Sequence, residues 1–241
     1  MLKALQFHRV VPDFQLAGTW NRPHQFRDYM LHLNSMHLKT VLPGDRGNRT
    51  DGVIIIFDDG EENLYYHCFP VLCELGIKAI IFLIVDYIGQ MNTWDIAILG
   101  KRHRHLSWDQ ILKMKNHGIE FGSHGMTHRN LTILTDQEIE YELNESKMIL
   151  EKKLGPIKYI SYPFNRTNQF IINKTKAAGY EYGFGGNGSS DFLIKKEAVY
   201  ITDNRASLGI KITEKPRTAY FYYRVQQSII NYFTITTMMM R

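Results

Sequence analysis

The sequence predicts an α/β fold in which parallel strands wind into a closed or nearly closed barrel with helices outside. Three observations carry the prediction. Strand-like and helix-like segments alternate across residues 53–184, the pattern of parallel strands joined by helical crossovers. The strands in that alternation, above all Val53-Ile54-Ile55-Ile56-Phe57 and residues 77–85, are apolar nearly throughout, as strands buried on both faces are. Polar groups then fall at the predicted strand ends: His8, the Asp58/Asp59 pair, His124 and the turn at Pro163-Phe164. In parallel α/β folds the C-terminal strand ends share one mouth, where chemistry collects.

Taken in order, the chain opens with a first strand in residues 1–12 that ends at Pro12 and carries His8 near its C-terminal end. Residues 22–38 read as a helix because Phe26, Tyr29, Met30 and Leu33 recur with helical spacing. After a loop at 43–48, the strand 53–57 runs into Asp58-Asp59-Gly60. Residues 61–75 are predicted as one helix closed by Gly76, followed by the buried strand 77–85. Residues 87–105 are irregular, with a short helix expected at 94–99. Ser107 and Gln110 form a capping box for a helix that ends at His117-Gly118, and 119–124 is a short strand. Thr135 and Glu138 form a second capping box, for a helix running to about Leu154. Residues 159–164 are a strand ending in a proline turn, 168–178 a helix, and 181–184 and 197–201 late strands. The glycine-rich stretch 185–190 lacks the spacing of a phosphate loop and reads as a connection. Residues 205–241 form a C-terminal extension, aromatic-rich and predicted helical over 217–233.

The chain has 241 residues, 44% of them hydrophobic, enough for one domain spanning 1–241 with a sizeable core. Its net charge of +5 is not gathered into a like-charge block. The densest basic run, 101–105, reads as a solvated loop, so no nucleic-acid partner is expected. Cys68 and Cys73 lie five apart on a predicted helix and point in different directions, so both are expected as free thiols. The longest apolar run, 79–85, falls far short of the roughly 20 residues that span a bilayer. His8, Arg9, Pro12 and Asp13 interrupt any leader-like stretch, and a cytoplasmic location is expected, with export after removal of a leader as the alternative.

Two adjacent carboxylates at the end of a buried strand repel unless something cationic or functional holds them. Asp-Asp-Gly is also a good turn, so alone it decides little. His124-x-x-x-His128 is likewise a weak signal by itself among ten histidines. Together, two imidazoles and one carboxylate form an open three-ligand set for zinc or a similar divalent ion, with a position left for water. The second carboxylate is then free to take a proton from that water, and His8 to return one to a leaving amine. The ensemble reads as a metal-assisted hydrolase of an amide or ester.

The sequence resembles the polysaccharide deacetylases of carbohydrate esterase family four, the nodulation-deacetylase homology group. Phe57-Asp58-Asp59-Gly60 is similar to that family's first motif and Ser123-His124-Gly125-Met126-Thr127-His128 to its second. Leu106-Ser107-Trp108-Asp109-Gln110, Asn130-Leu131-Thr132 and Ser161-Tyr162-Pro163-Phe164 frame them as relatives do, so the likeness covers about residues 53–184. It implies a distorted (β/α)7-type barrel, with Asp58 as base and Asp59, His124 and His128 as ligands of a divalent ion, Zn2+ first, with Co2+ or Ni2+ compatible. It also implies a backbone N–H at Phe164 for the oxyanion. The family's catalytic-acid histidine normally lies near the C-terminus, and no such motif follows residue 200. Leu5-Gln6-Phe7-His8 resembles it at the opposite end, as in circularly permuted relatives, which makes His8 the expected acid. Two departures stand out. Ser161 occupies the place of an arginine that steadies the base, and the fourth motif is not visible, Asp191 being a poor candidate.

The implied activity is removal of N-acetyl, or O-acetyl, groups from a glycan or glycan precursor, with release of acetate. Two alternatives stay open: a metal-dependent amidase for a non-saccharide amide such as an acetylated polyamine or a cyclic amide, and a relative that binds glycan or metal without turnover. Trp94 or Trp108 is as well suited to the core as to a sugar groove.

Overall fold

The computed structural model describes residues 3–15, 18–45, 52–93, 102–186, 188, 190–213 and 225. The helices expected at 94–99 and over most of 217–233, and with them Trp94, lie outside the described residues. Parallel strands make one sheet that curls into a nearly closed barrel with helices around it. The strands are β1 (Lys3–Phe7), β2 (Gly52–Phe57), β3 (Ala79–Leu83), β4 (Glu120–Ser123), β5 (Tyr159–Ser161), β6 (Tyr182–Phe184), β7 (Leu193–Ile194) and β8 (Lys196–Ala198). Their spatial order is β7-β6-β5-β4-β3-β2-β1-β8, with a short strand at Lys39–Thr40 beside the start of β2.

β7 and β8 are two pieces of one extended stretch, separated only by Lys195. β7 pairs with β6 and β8 with β1, so a single segment spans the seam and the ring has in effect seven staves. The late strand expected at 197–201 therefore starts earlier and ends at Ala198. The first strand also breaks. β1 stops at Phe7, and Arg9–Val10 leaves the barrel to pair with Trp20–Asn21. The break falls at His8.

Pleating sorts each apolar strand into an inner and an outer set. Ala4, Ile54, Ile56, Ile80, Phe82, Tyr159, Phe184 and Ile194 pack together inside the barrel. Their neighbours Leu5, Phe7, Val53, Ile55, Phe57, Ile81 and Leu83 face outward into the cluster shared with the helices. Gly122 is what lets Phe82 fill the interior: a Cβ there would lie 2.6 Å from the Phe82 ring and 2.7 Å from the Tyr159 carbonyl. Continuing the inward alternation toward the C-terminal strand ends gives Gln6, His8, Asp58, His124, Ser161 and Lys196. The barrel thus has an apolar interior and a polar mouth.

Around it, α1 (Pro23–Ser35) buries Phe26, Tyr29, Met30 and Leu33. The helix predicted over 61–75 is two, α2 (Asn63–His67) and α3 (Phe69–Glu74), because Pro70 has no N–H to continue the ladder. Cys68 is buried at that junction, Cys73 is exposed, and both are free. Capping boxes from Ser107 and Thr135 open α4 (Trp108–Asn116) and α5 (Asp136–Glu140) as predicted. The second helix does not run on unbroken: a π-turn at Tyr141–Glu145 separates α5 from α6 (Ser146–Leu154). α7 (Gln169–Ala177) is capped by Asn168, and α8 (Arg205–Thr213) closes the described chain apart from Val225. No helix among the described residues is long and apolar enough to cross a membrane.

α8 is fastened to the seam by a buried ion pair. The Lys211 ammonium donates to the Asp203 carboxylate and, at 2.5 Å, to the Ala198 carbonyl, with side chains 0% and 1% exposed for the pair. Removing one partner strands a buried charge. Asp203→Ala is expected to lower unfolding stability by about 3–5 kcal/mol in chemical denaturation. A loss within the ordinary surface range would show that the pair does not hold α8.

Candidate active site

Asp58 follows β2 with its side chain inside the mouth. Asp59 (φ 68°) and Gly60 (φ 64°) then take left-handed backbone, so the two neighbouring carboxylates part and meet different surroundings. The Asp59 carbonyl accepts a hydrogen bond from the buried ring of His105, Nδ1 to O 2.8 Å, which fixes the strained turn from above.

Asp58 Oδ2 accepts from Gln6 Nε2 at 2.5 Å and from Lys196 Nζ at 2.9 Å. Asp58 and Lys196 are each 1% exposed, and the ammonium also donates to Ser161 Oγ at 2.8 Å. Burial alone would push the Asp58 carboxyl up; the Lys196 charge, followed by those of His124 and His8, outweighs it and holds the group at about 2. Oδ1 of the same carboxylate is buried and has no hydrogen-bond partner among the described residues. The result is an ionised carboxylate with one oxygen uncommitted.

Asp59 faces the histidines. His124 lies just past β4, and its Nδ1 donates to the Ser161 carbonyl at 2.6 Å, which turns Nε2 to within 3.4 Å of Asp59 Oδ1. His128 Nε2 lies 3.5 Å from the same oxygen. Burial brings His128 down to about 3, against the pull of Asp59, so this ring is neutral at ordinary pH. Burial raises the Asp59 carboxyl, but the His124 hydrogen bond and the charges of His128, His8 and His124 together outweigh it, and the group stays well below the usual carboxylate range. One ligand atom from each of the three buried residues lies within 4.8 Å of the other two. A carboxylate oxygen and two imidazole nitrogens converging in a buried pocket suit a divalent cation with an open coordination position. The carbonyl bond to His124 Nδ1 is the kind of outer contact that orients such a ring.

His8 and Phe164 come to the same mouth. Gln6 Nε2, already bonded to Asp58, lies 3.3 Å from His8 Nε2, so one amide spans both. His8 Nδ1 is buried without a partner among the described residues. Burial holds this imidazole below its ordinary value, with Asp59 and Asp58 opposing the shift. Phe164 sits at φ 57° in the turn Pro163–Asn165, and its ring lies 4.8 Å from that of His128. Trp108 packs against the main apolar cluster and Asp191 is exposed. Sequence reasoning missed Gln6, Lys196 and His105. Gln6 holds an unspecified position within Leu5-Gln6-Phe7-His8 and the other two belong to no motif; only the inward alternation at the strand ends picks out Gln6 and Lys196, and the charged neighbours of Lys196 hide that alternation.

The polysaccharide deacetylase family profile matches residues 45–183. The chain belongs to the polysaccharide deacetylase family. Among curated relatives, YxkH of Bacillus subtilis is 33% identical over 144 residues, 59% of this chain and 47% of that protein. The poly-β-1,6-N-acetyl-D-glucosamine N-deacetylase of Staphylococcus aureus is 28% identical over 142 residues, 55% of this chain and 47% of that one. The chain therefore spans about half the length of the curated relatives it matches. Of solved structures, IcaB from Ammonifex degensii superposes with TM-score 0.74 at 19% identity, covering 88% of this chain and 96% of that one. The polysaccharide deacetylase BC0361 of Bacillus cereus gives TM-score 0.74 at 23% identity, with 88% and 69% covered. At these identities the structures speak to the fold.

Against the family motif, the absence of arginine at Ser161 has a physical answer in this family member. Lys196, reaching across from the seam strand, puts a cation on Asp58, and Ser161 accepts one of its hydrogen bonds. Lys196→Met is expected to leave Asp58 buried without that charge, so its carboxyl moves up from about 2. In the unaltered protein Asp58 contributes stability above about pH 3.8 that is lost as pH falls toward 2, and the variant is expected to lose part of that contribution. Carbon NMR titration of the Asp58 carboxyl checks the shift, and an unmoved value would contradict it.

Proposed function

We propose that this deacetylase-family protein removes N-acetyl groups from a glycan by divalent-cation-assisted hydrolysis, releasing acetate. The observation that carries the reading is the pairing of two differently held carboxylates: Asp59 directed at His124 and His128, and Asp58 beside it, held ionised by Lys196. Asp59, His124 and His128 would hold the cation, zinc first among candidates and cobalt or nickel compatible. When bound, such an ion polarises the acetyl carbonyl and acidifies water.

The chain's own groups supply the remaining chemistry. Asp58 takes the proton from the attacking water through Oδ1, while Gln6 and Lys196 fix Oδ2. The backbone N–H of Phe164, in its tight turn, donates to the developing oxyanion. His8, recharged by the proton that Asp58 took from the water, passes a proton to the departing amine nitrogen, and Gln6 keeps acid and base in register. One water is consumed, and the amide yields an amine and acetate. The name of the Staphylococcus aureus relative makes β-1,6-linked N-acetylglucosamine chains the first substrates to try.

Asp58→Asn keeps the shape of the side chain and removes the base. With the zinc-loaded protein and N-acetylglucosamine oligomers, acetate release is expected to fall about 10²- to 10⁴-fold, with zinc still bound. Undiminished release by the variant would remove Asp58 as base. Faster turnover of simple acetylated amines than of glycans would overturn the substrate class.

A further inference from the structure

Between His124 and His128 the chain makes a tight loop that is tied from behind by one acidic side chain, Glu142. Glu142 belongs to the π-turn Tyr141–Glu145 and is 1% exposed. Its Oε2 accepts from the backbone N–H of Met126 at 2.7 Å and of Thr127 at 3.1 Å, and its Oε1 accepts from the Thr127 hydroxyl. No ion pair joins it to a cationic side chain among the described residues, so the loop supplies the compensation this buried anion needs. Gly125, at φ 84°, lets the loop close on it: a Cβ there would lie 2.6 Å from Oε2. The fastening continues sideways. Ser123 Oγ accepts from Gly125 N at 3.0 Å and lies 2.7 Å from Ser146 Oγ, which donates to the Glu142 carbonyl at 2.6 Å. π-turns are uncommon and recur at functional sites.

We propose that Glu142 is a positioning residue: by accepting these three hydrogen bonds it holds the 124–128 loop in the one shape that aims both imidazoles at Asp59, and so sets the affinity of the site for a divalent cation. The inference rests on the reading of Asp59, His124 and His128 as the cation ligands. The pattern of bonds, rather than the charge, does the positioning. A glutamine keeps the reach: its amide oxygen takes the two N–H groups and its NH2 donates to the Thr127 hydroxyl. An aspartate keeps the charge but is one methylene short.

The test is zinc affinity, measured by competition with a chromophoric chelator on the full chain, with near-ultraviolet circular dichroism as the check on folding. Glu142→Gln is expected to bind zinc within a few-fold of the unaltered protein. Glu142→Asp is expected to bind about 10- to 100-fold more weakly, the loss typical of removing an outer-shell contact. Equal affinity in all three proteins overturns the proposal, as does the reverse order, which would make the charge the active property. If either variant does not fold, Thr127→Val, which removes only the hydroxyl bond, decides: weakened binding supports the proposal and unaltered affinity overturns it. His124→Ala separates loss of the ligand set from loss of its positioning. If the unaltered protein binds zinc no better than His124→Ala, the ligand reading falls and takes this inference with it. If it binds better and the Glu142 and Thr127 variants are indifferent, only the role of Glu142 falls.

Discussion

Two ionised carboxylates on consecutive residues, both buried, cannot share one environment. Each costs several kcal/mol to desolvate, and each raises the cost of the other. The left-handed turn at Asp59 and Gly60 resolves the conflict by sending the two side chains to different partners. Asp58 receives a cation the chain itself carries, Lys196, brought in by the strand that spans the seam. Asp59 receives two ring nitrogens, an arrangement suited to a cation from outside. Much of the local structure follows from keeping these two solutions apart.

That separation depends on backbone that is costly for ordinary residues. Asp59, His128 and Phe164 all have positive φ without being glycine, at about 1–3 kcal/mol each. Such conformations last only where the surroundings over-determine them. His105 fixes the first from its carbonyl and Glu142 fixes the loop leading to the second, while the aromatic contact with His128 packs on the third. A stiff apolar barrel underneath gives these clamps a fixed base.

The sequence made some of this legible for clear reasons. Val53 to Phe57 has to be a buried strand, so the residues that follow have to stand at a strand end, and the alternation of elements puts such ends together. Asp58, Asp59, His124 and His8 could therefore be named, and His128 followed from its spacing to His124 and the motif the pair resembles. Capping boxes at Ser107 and Thr135 work within four residues and were equally readable. What was hidden depends on contacts between distant segments. Lys196 sits in a stretch where Lys195 and Glu197 flank it with charge, so nothing marks it as inward-facing. The break at Cys68 follows from Pro70, two residues on. The π-turn at Tyr141–Glu145 has no comparable residue to announce it; it is visible only in the fold, where Glu142 meets the histidine loop.

The chemistry proposed for this site depends on where a divalent ion binds. The direct measurement is anomalous diffraction at the zinc absorption edge from crystals of the zinc-loaded protein. The account requires one strong peak about 2.0–2.2 Å from an Asp59 carboxylate oxygen and from a ring nitrogen of both His124 and His128, with Lys196 still on Asp58. A peak elsewhere, or one bound by Asp58 in place of Asp59, would contradict it.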